Sequence, residues 1–206
     1  MKKTIMLWLL AIVSIVSFAQ NTTEHLKFMG IPINGTITQF QSKLLAKGCT
    51  LNKSTSSTLA IGCRAFKGNF VGNKVDIYVY YDEKTKIVYR TKAVVSGVSK
   101  NLSDQVYSDI SNMLLQKYGK TWRFENNNND GEGISIFVPS NDFNPLNIDP
   151  YADIAHSPAL YGFTGEIDLY ISKNDYLIYP YYYCVHADYT DAINNDKHLT
   201  QSLEDL

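Results

Sequence analysis

The sequence lacks the short motifs that mark many catalytic and nucleotide-binding sites. It contains no Gly-rich phosphate-binding loop, no Gly-x-Ser-x-Gly elbow and no His-Glu-x-x-His zinc motif. Lysine and arginine are scattered along the chain and form no basic stripe, which argues against a nucleic-acid partner. We therefore expect a non-catalytic protein that uses no cofactor and no metal.

Cysteine is scarce, with three residues in a chain of 206. Cys49 and Cys63 flank the polar segment 52–58, and a hairpin centred near Ser56 would place them opposite one another. We predict a disulfide between them, worth about 3 kcal/mol in an exported protein, where disulfides persist. The alternative is a pair of buried thiols, because the sequence does not show how closely the two Cβ atoms approach.

Long apolar runs are absent except near the N-terminus. Lys2 and Lys3 precede an apolar run over 5–16, and Ser17-Phe18-Ala19 fits a cleavage site, which together predict a secretory signal peptide over 1–19. The run is shorter than the roughly 20 residues that span a bilayer, so we expect no membrane span after cleavage. The mature chain would hold 17 basic and 20 acidic residues and be periplasmic or extracellular.

The most informative feature is a pattern that occurs twice, over 70–89 and 163–179. Each copy reads Phe-x-Gly, a strand of the form aliphatic-Asp-aliphatic-Tyr-aliphatic, a polar turn, and a second strand that opens with two aliphatic residues and a tyrosine. The outward steps of the two strands are Asp76/Tyr78 and Asp168/Tyr170. An internal repeat of this kind predicts that one supersecondary unit is used twice.

Each predicted unit is a helix followed by four strands. The first helix runs from an N-cap at Thr36 to Gly48, with strands near 49–53, 58–67, 73–81 and 86–96. The second helix runs from Ser103 to Gly119, with strands near 121–126, 133–138, 165–172 and 176–187. The predicted fold class is α+β, in which two α-β-β-β-β pseudo-repeats form an antiparallel sheet with helices on one face and an open face on the other.

The predicted boundaries follow from these units. A flexible leader covers 20–28, the first repeat 29–100, the second repeat 101–187, and a C-terminal helix and tail 188–206, with the helix between Asp188 and His198. The segment 139–161 has no sustained periodicity and interrupts the second repeat. A long loop inside a compact domain is either functional or a tolerated surface insertion.

Period-2 alternation assigns the strand residues to two faces. The inward set is Val75, Ile77, Val79, Tyr89, Thr91, Ala93, Val95, Ile167, Leu169, Ile171, Tyr179, Tyr181, Tyr183 and Val185. Tyrosine is enriched at recognition surfaces, although tyrosines also stabilise sheets through cross-strand pairs. The outward residues predicted to bind a partner are Asp76, Tyr78, Tyr80, Arg90, Lys92, Asp168, Tyr170, Tyr182 and His186.

Two short patterns resemble chemical motifs. Cys184, His186 and Asp188 alternate along one strand and would project from one face, as in a metal site or a Cys/His nucleophile, although no second ligand cluster accompanies them. The run 126–131 resembles the start of a calcium loop, but Phe137 stands where a bidentate Glu is required. A hairpin turn is the better interpretation, because Asp-Gly is a strong turn pair.

The tandem α-β4 order and the Phe-x-Gly motif resemble the beta-lactamase-inhibitor-protein-like fold and the small PepSY-like secreted modules of Bacteroidetes. The resemblance covers 29–187. The inhibitor family tends to have a disulfide in each repeat, whereas the second repeat of this chain contains Cys184 alone. We expect an exported binding protein whose open face contacts a protein or a surface glycan. The alternatives are a hydrolase or metal enzyme built on Cys184, His186, Asp188 and the 139–161 loop, or a structural component of the envelope.

Overall fold

The computed structural model describes residues 24–119, 122–128, 131–144, 158–174 and 182–204. The helices of this described part are α1 (Ile37–Ala46), α2 (Lys53–Ser56), α3 (Lys100–Tyr118) and α4 (Ala192–Glu204), with a short 3-10 helix over Pro158–Tyr161. None of the helices in these ranges is long and apolar enough to cross a membrane. The strands are β1 (Lys27–Phe28), β2 (Ile31–Pro32), β3 (Thr50–Leu51), β4 (Cys63–Phe70), β5 (Asn73–Tyr81), β6 (Val88–Val98), β7 (Arg123–Asn128), β8 (Gly131–Pro139), β9 (Phe163–Asn174) and β10 (Tyr182–Asp191).

Eight strands form one continuous antiparallel sheet in the order β3-β4-β5-β6-β10-β9-β8-β7. The strands after α1 form one half of the sheet and the strands after α3 form the other, so the last strand of each half lies at the centre. β6 and β10 pair antiparallel and join the halves, with Ala93 opposite Ala187 and Val95 opposite Val185. β1 and β2 form a separate two-stranded ribbon. The predicted α+β fold class is confirmed.

The core lies between the sheet and the helices α1 and α3. Both helices have an apolar stripe at helical spacing, which is buried against the sheet. Of the inward tyrosines, Tyr183 is partly buried against the core and Tyr89 is half-buried, whereas Tyr179 and Tyr181 lie outside the described residues. The buried core includes Ile37, Phe40, Leu44, Val106, Ile110, Leu114, Val75, Ile77, Val79, Ala93, Val95, Ile167, Leu169, Ile171 and Val185.

The helix ends follow local capping chemistry, with one correction. Thr36 caps α1 in a capping box with Gln39, as the sequence predicts for this N-cap. The predicted start of the second helix at Ser103 is wrong, because β6 ends at Val98 and the Ser99 side chain already accepts a hydrogen bond from the Leu102 N–H. Ser103 is instead buried inside α3.

The predicted Cys49–Cys63 disulfide is also wrong, since both residues are free thiols. The helix α2 lengthens the connection between β3 and β4, and Thr50 therefore pairs with Lys67. This register brings Cys49 to the level of Gly68, where a Cβ atom would lie 2.8 Å from the Cys49 Sγ. Cys63 starts β4, roughly 17 Å away along the strand. Burial raises the pKa of both thiols.

The C-terminal helix begins later than predicted. β10 continues through Asp188 to Asp191, so α4 starts at Ala192 and extends to Glu204. The carboxylate of Asp191 accepts a hydrogen bond from the Asn194 N–H at 2.9 Å, which is N-cap chemistry at a buried position. The Asn194 side chain donates to the carbonyl oxygens of Ile33 and Val88, which anchors α4 to the sheet.

Candidate functional site

The outward residues of β4–β6 and β8–β10 form the open face, on the side of the sheet opposite α1 and α3. The strand register places the predicted binding residues in rows that cross several strands. Tyr78 lies opposite Lys92, Lys92 opposite Asp188, and Asp188 opposite Asp168. On one side of this row Tyr80 lies beside Arg90, and on its other side Tyr170 lies beside His186. Tyr182 begins β10 and is half-buried.

An ion pair at the junction of the two halves organises the open face. Arg90 contacts Asp188 through two hydrogen bonds, from Nε to Oδ1 at 2.8 Å and from Nη2 to Oδ2. The Asp188 side chain is only 3% exposed and the Arg90 side chain 40% exposed. The hydrogen bond to Asp188 raises the pKa of Arg90. A bidentate guanidinium–carboxylate pair fixes orientation as well as distance, so it holds β6 and β10 in register.

Lys92 links this ion pair to an aromatic stack. Its Nζ donates to Tyr170 Oη at 2.6 Å and lies 3.7 Å from Asp188 Oδ2. The Tyr170 ring lies flat on the His186 ring, with centroids 4.6 Å apart and planes 8° apart. His186 Nε2 forms a 2.7 Å hydrogen bond with Ser172 Oγ. The Tyr170 ring is therefore held at its face by His186 and at its hydroxyl by Lys92.

The ionisation of these groups is set by burial and by their neighbours. Burial, helped by the charge of Lys92, lowers the pKa of His186 to about 4, so the imidazole is neutral at physiological pH. Burial raises the pKa of Tyr78, and it raises that of Tyr80 to about 12. The Arg90 guanidinium lies over the Tyr80 ring at 5.1 Å from its centroid, a cation–π contact.

An acidic pair, which the sequence analysis missed in part, lies on β9. Burial and the nearby Asp168 raise the pKa of Glu166 to about 7, and burial also raises the pKa of Asp168. The Ser135 hydroxyl donates to Asp168 at 2.5 Å. Because the pKa of Glu166 is about 7, the Glu166 carboxyl group is partly protonated near neutral pH. The alternation that placed Asp168 outward also applies to Glu166, whereas the role of Ser135 depends on the β8–β9 register.

An aromatic cluster connects the inserted segment to the edge of the open face. The ring centroids of Phe143 and Phe163 are 4.9 Å apart, and those of Phe163 and Phe137 are 5.7 Å apart. Phe137 is 5.6 Å from Phe124, and the Phe124 side chain is 47% exposed. The described ends of the 139–161 segment therefore pack beside β8 and β9, while residues 145–157 lie outside the described part.

Cys184, His186 and Asp188 do project from one face, but each interacts with a different group. They lie opposite Ser172, Tyr170 and Asp168 of β9, and Asp188 is paired with Arg90. No cluster of three potential metal ligands occurs among the described residues. The trio therefore has neither the imidazole–thiol contact of a nucleophile nor the ligand set of a metal centre.

The run that resembles a calcium loop is part of a hairpin. Asn128 pairs with Gly131, so β7 and β8 are joined by a two-residue connection. Residues 129 and 130 of this connection lie outside the described part of the chain. The predicted hairpin is confirmed, but the register places Gly131 in β8 opposite Asn128, so the connection is 129–130 and not the Asp130-Gly131 pair.

Comparisons of this chain with protein-family models, with curated proteins and with solved structures find no match.

Proposed function

We propose that this chain is an exported, non-catalytic binding protein whose open face contacts a protein or a surface glycan. The observation that carries the proposal is the Arg90–Asp188 pair together with the Lys92–Tyr170 contact, which hold polar and aromatic side chains in place on the face opposite α1 and α3. Side chains that are already ordered lose little conformational entropy when a partner binds.

The composition of the face supports recognition. Tyrosine and arginine contribute most strongly to interface hot spots, and Tyr78, Tyr80 and Arg90 lie side by side on β5 and β6. On the open face, basic groups outnumber acidic groups in the β4–β6 half, and acidic groups predominate in the β8–β10 half. The first half carries Lys67, Arg90 and Lys92 with Asp76, and the second carries Glu166, Asp168 and Asp188. A partner with the complementary arrangement of charge would be selected for orientation as well as for affinity.

The same contacts favour binding over catalysis. The Asp188 carboxylate is committed to Arg90, and the His186 imidazole is stacked on Tyr170 and bonded to Ser172. A general acid or base has to exchange a proton with a substrate at short range. Cys184, His186 and Asp188 line neither the cleft beside α4 nor the smaller one between the β1–β2 ribbon and α3.

The experiment is a pull-down from an envelope extract of the source organism, with residues 20–206 as bait. Replacing Tyr78 and Tyr170 together with alanine should reduce partner recovery at least tenfold while the circular dichroism spectrum is kept. The matched control replaces Leu102 and Met113, two side chains exposed on α3, with alanine and should retain the partner. Equal recovery by the tyrosine variant would contradict the assignment of the face.

A glycan array and analytical ultracentrifugation separate the kinds of partner. Binding to immobilised glycans that depends on Tyr78 and Tyr170 would identify a carbohydrate partner. Concentration-dependent self-association, abolished by the same double substitution, would identify a second copy of the chain and favour the structural envelope role.

A further inference from the structure

A cleft of about 400 Å³ lies between the N-terminal segment, the turn that joins β5 to β6, and α4. It is separate from the open face, and none of the predicted binding residues lines it. Its volume is in the range of small-molecule sites. The side chains that matter for its chemistry are His25, Asp82, Thr85, Lys197, His198 and Gln201.

His25 is fixed at one side of the cleft by a fully buried carboxylate. Its Nδ1 lies 3.0 and 3.1 Å from the two oxygens of Asp191, whose side chain is 0% exposed. The Asp191 carboxylate also accepts from the Leu26 and Asn194 N–H groups, each at 2.9 Å. Because the carboxylate is held by α4 and by the N-terminal segment together, the imidazole it carries has a defined position.

His198 is fixed in the same way from α4. Its Nδ1 lies 3.0 Å from Asp82 Oδ2, and its ring stacks on Tyr89 with centroids 4.1 Å apart and planes 12° apart. The Asp82 Oδ1 accepts hydrogen bonds from Lys84 N, Thr85 N and Thr85 Oγ1 at 2.7 to 3.0 Å. Burial acts to raise the pKa of Asp82, but these hydrogen bonds and that of His198 lower it to about 2.

These contacts determine what the imidazoles offer a ligand. A carboxylate only accepts hydrogen bonds, so Nδ1 of each ring carries the proton and Nε2 of the neutral ring is an acceptor. Among the described residues, no hydrogen bond engages Nε2 of His25 or His198. Each imidazole is held in one orientation by a carboxylate behind it. Ligand-contacting side chains that are fixed in this way form precise binding sites.

The charges of the cleft favour a neutral ligand. With the two imidazoles neutral, the carboxylates of Asp82 and Asp191 directly behind them disfavour an anionic ligand. Lys197 adds one exposed cation, which disfavours a cationic ligand. Lys197, His198 and Gln201 are neighbours on one side of α4, since residues three and four apart lie on the same helix face. The lining therefore contains both donors, on Lys197 and Gln201, and acceptors, at Nε2 of the two neutral imidazoles.

We propose that this cleft binds a neutral polyhydroxylated ligand of mono- or disaccharide size, whose hydroxyl groups donate to Nε2 of His25 and His198 and accept from Lys197 and Gln201. Hydroxyl groups donate and accept at once, which matches a lining of paired acceptors and donors. The site is independent of the open face, so either proposal can fail without the other.

The test is a titration of the mature chain, followed by long-range ¹H–¹⁵N NMR of the histidine rings. The probes are glucose, galactose, mannose, N-acetylglucosamine, maltose and lactose, with inorganic phosphate for comparison. We expect at least one sugar to shift the Nε2 resonances of His25 and His198 with a dissociation constant on the order of 1 mM. The absence of a response to all six sugars, or a stronger response to phosphate, would overturn the proposal.

Substitutions locate the binding. His198→Ala should weaken sugar binding at least tenfold, and Gln201→Ala about threefold. Leu199→Ala, an exposed neighbour on α4 that does not line the cleft, should bind like the parent protein. If His198→Ala does not fold, Gln201→Ala provides the test. Unchanged sugar affinity in Gln201→Ala would then show that the sugar binds elsewhere.

Discussion

The two copies of the repeated strand have the same sequence pattern but different surroundings. In β5, Asp76 lies beside Lys67 and Val94, and Tyr78 beside Lys92. In β9, Asp168 lies beside Asp188 and Ser135. In the second copy, burial raises the pKa of the Asp168 carboxyl group, and the charge of Asp188 raises it further. The same local motif therefore places its aspartate in two different environments, which are decided by burial and by the cross-strand neighbours.

The Phe-x-Gly motif differs in a similar way between the copies. In the first copy Val71-Gly72 form the two-residue turn between β4 and β5, and both have positive φ values of 51° and 76°. In the second copy Thr164 and Gly165 lie inside β9, where a Cβ on Gly165 would be 2.2 Å from the Thr190 carbonyl oxygen. One glycine serves a turn and the other a close approach between strands.

The largest contrast is expected between Asp188 and Asp76. Asp188→Ala should lower the free energy of unfolding by about 2 kcal/mol, because it leaves the largely buried Lys92 ammonium and the partly exposed Arg90 guanidinium without their carboxylate. Asp76→Ala, in a half-buried position, should cost less than about 1 kcal/mol. Urea denaturation measures both variants. Equal losses would mean that the Arg90–Asp188 pair does not hold the two halves together.

The next contrast concerns pH and the acidic pair. The pKa of Glu166 is about 7 in the folded state and near 4.5 when unfolded, so the folded state binds more protons between these values. Its contribution to stability is present below pH 4.5 and is lost as the pH rises to 7. Glu166→Gln should therefore be more stable than the parent protein at pH 8, by on the order of 2 kcal/mol.

His186 changes the stability with pH in the direction opposite to Glu166. Its pKa falls to about 4 on folding, so its contribution to stability is lost as the pH drops from 6.5 towards 4. In Glu166→Gln, stability measured by urea denaturation should therefore rise with pH over this range. Lys74→Gln, at the matching position of the first copy, should leave the pH profile unchanged. A Glu166→Gln profile that superimposes on the parent profile would contradict the raised pKa.

The smallest contrast tests the two forms of Phe-x-Gly. Val71 has a left-handed backbone conformation that a β-branched residue rarely adopts, and asparagine tolerates it better. Val71→Asn should stabilise the protein by roughly 0.5 kcal/mol, after the loss of its partial packing on the core. Thr164→Asn should give no gain, because Thr164 is in a strand and donates to the Val138 carbonyl. Thermal unfolding of both variants distinguishes the two outcomes.

Local sequence signals predicted much of the fold. The α1 capping box, the end of α3 at Gly119 and the range 73–81 of β5 agree with the structure, because each depends on residues a few positions apart. Alternation also placed the described members of the predicted binding set on one face. The errors at Cys49–Cys63 and Ser103 arose where a short helix or an earlier cap changed the length of a connection.

The sequence by itself determined the three longer helices in outline, most of the strands and the faces of their side chains, because burial favours one face of an alternating strand. It did not predict the short helix α2. Only the tertiary structure decided that β6 pairs with β10. That pairing brings Arg90 to Asp188, 98 positions apart, and Lys92 to Tyr170, 78 positions apart. The tertiary structure likewise brings His25 to Asp191, 166 positions apart. Contacts between such distant residues leave no periodic signal, so the sites they form emerge only when the register of the central strands is known.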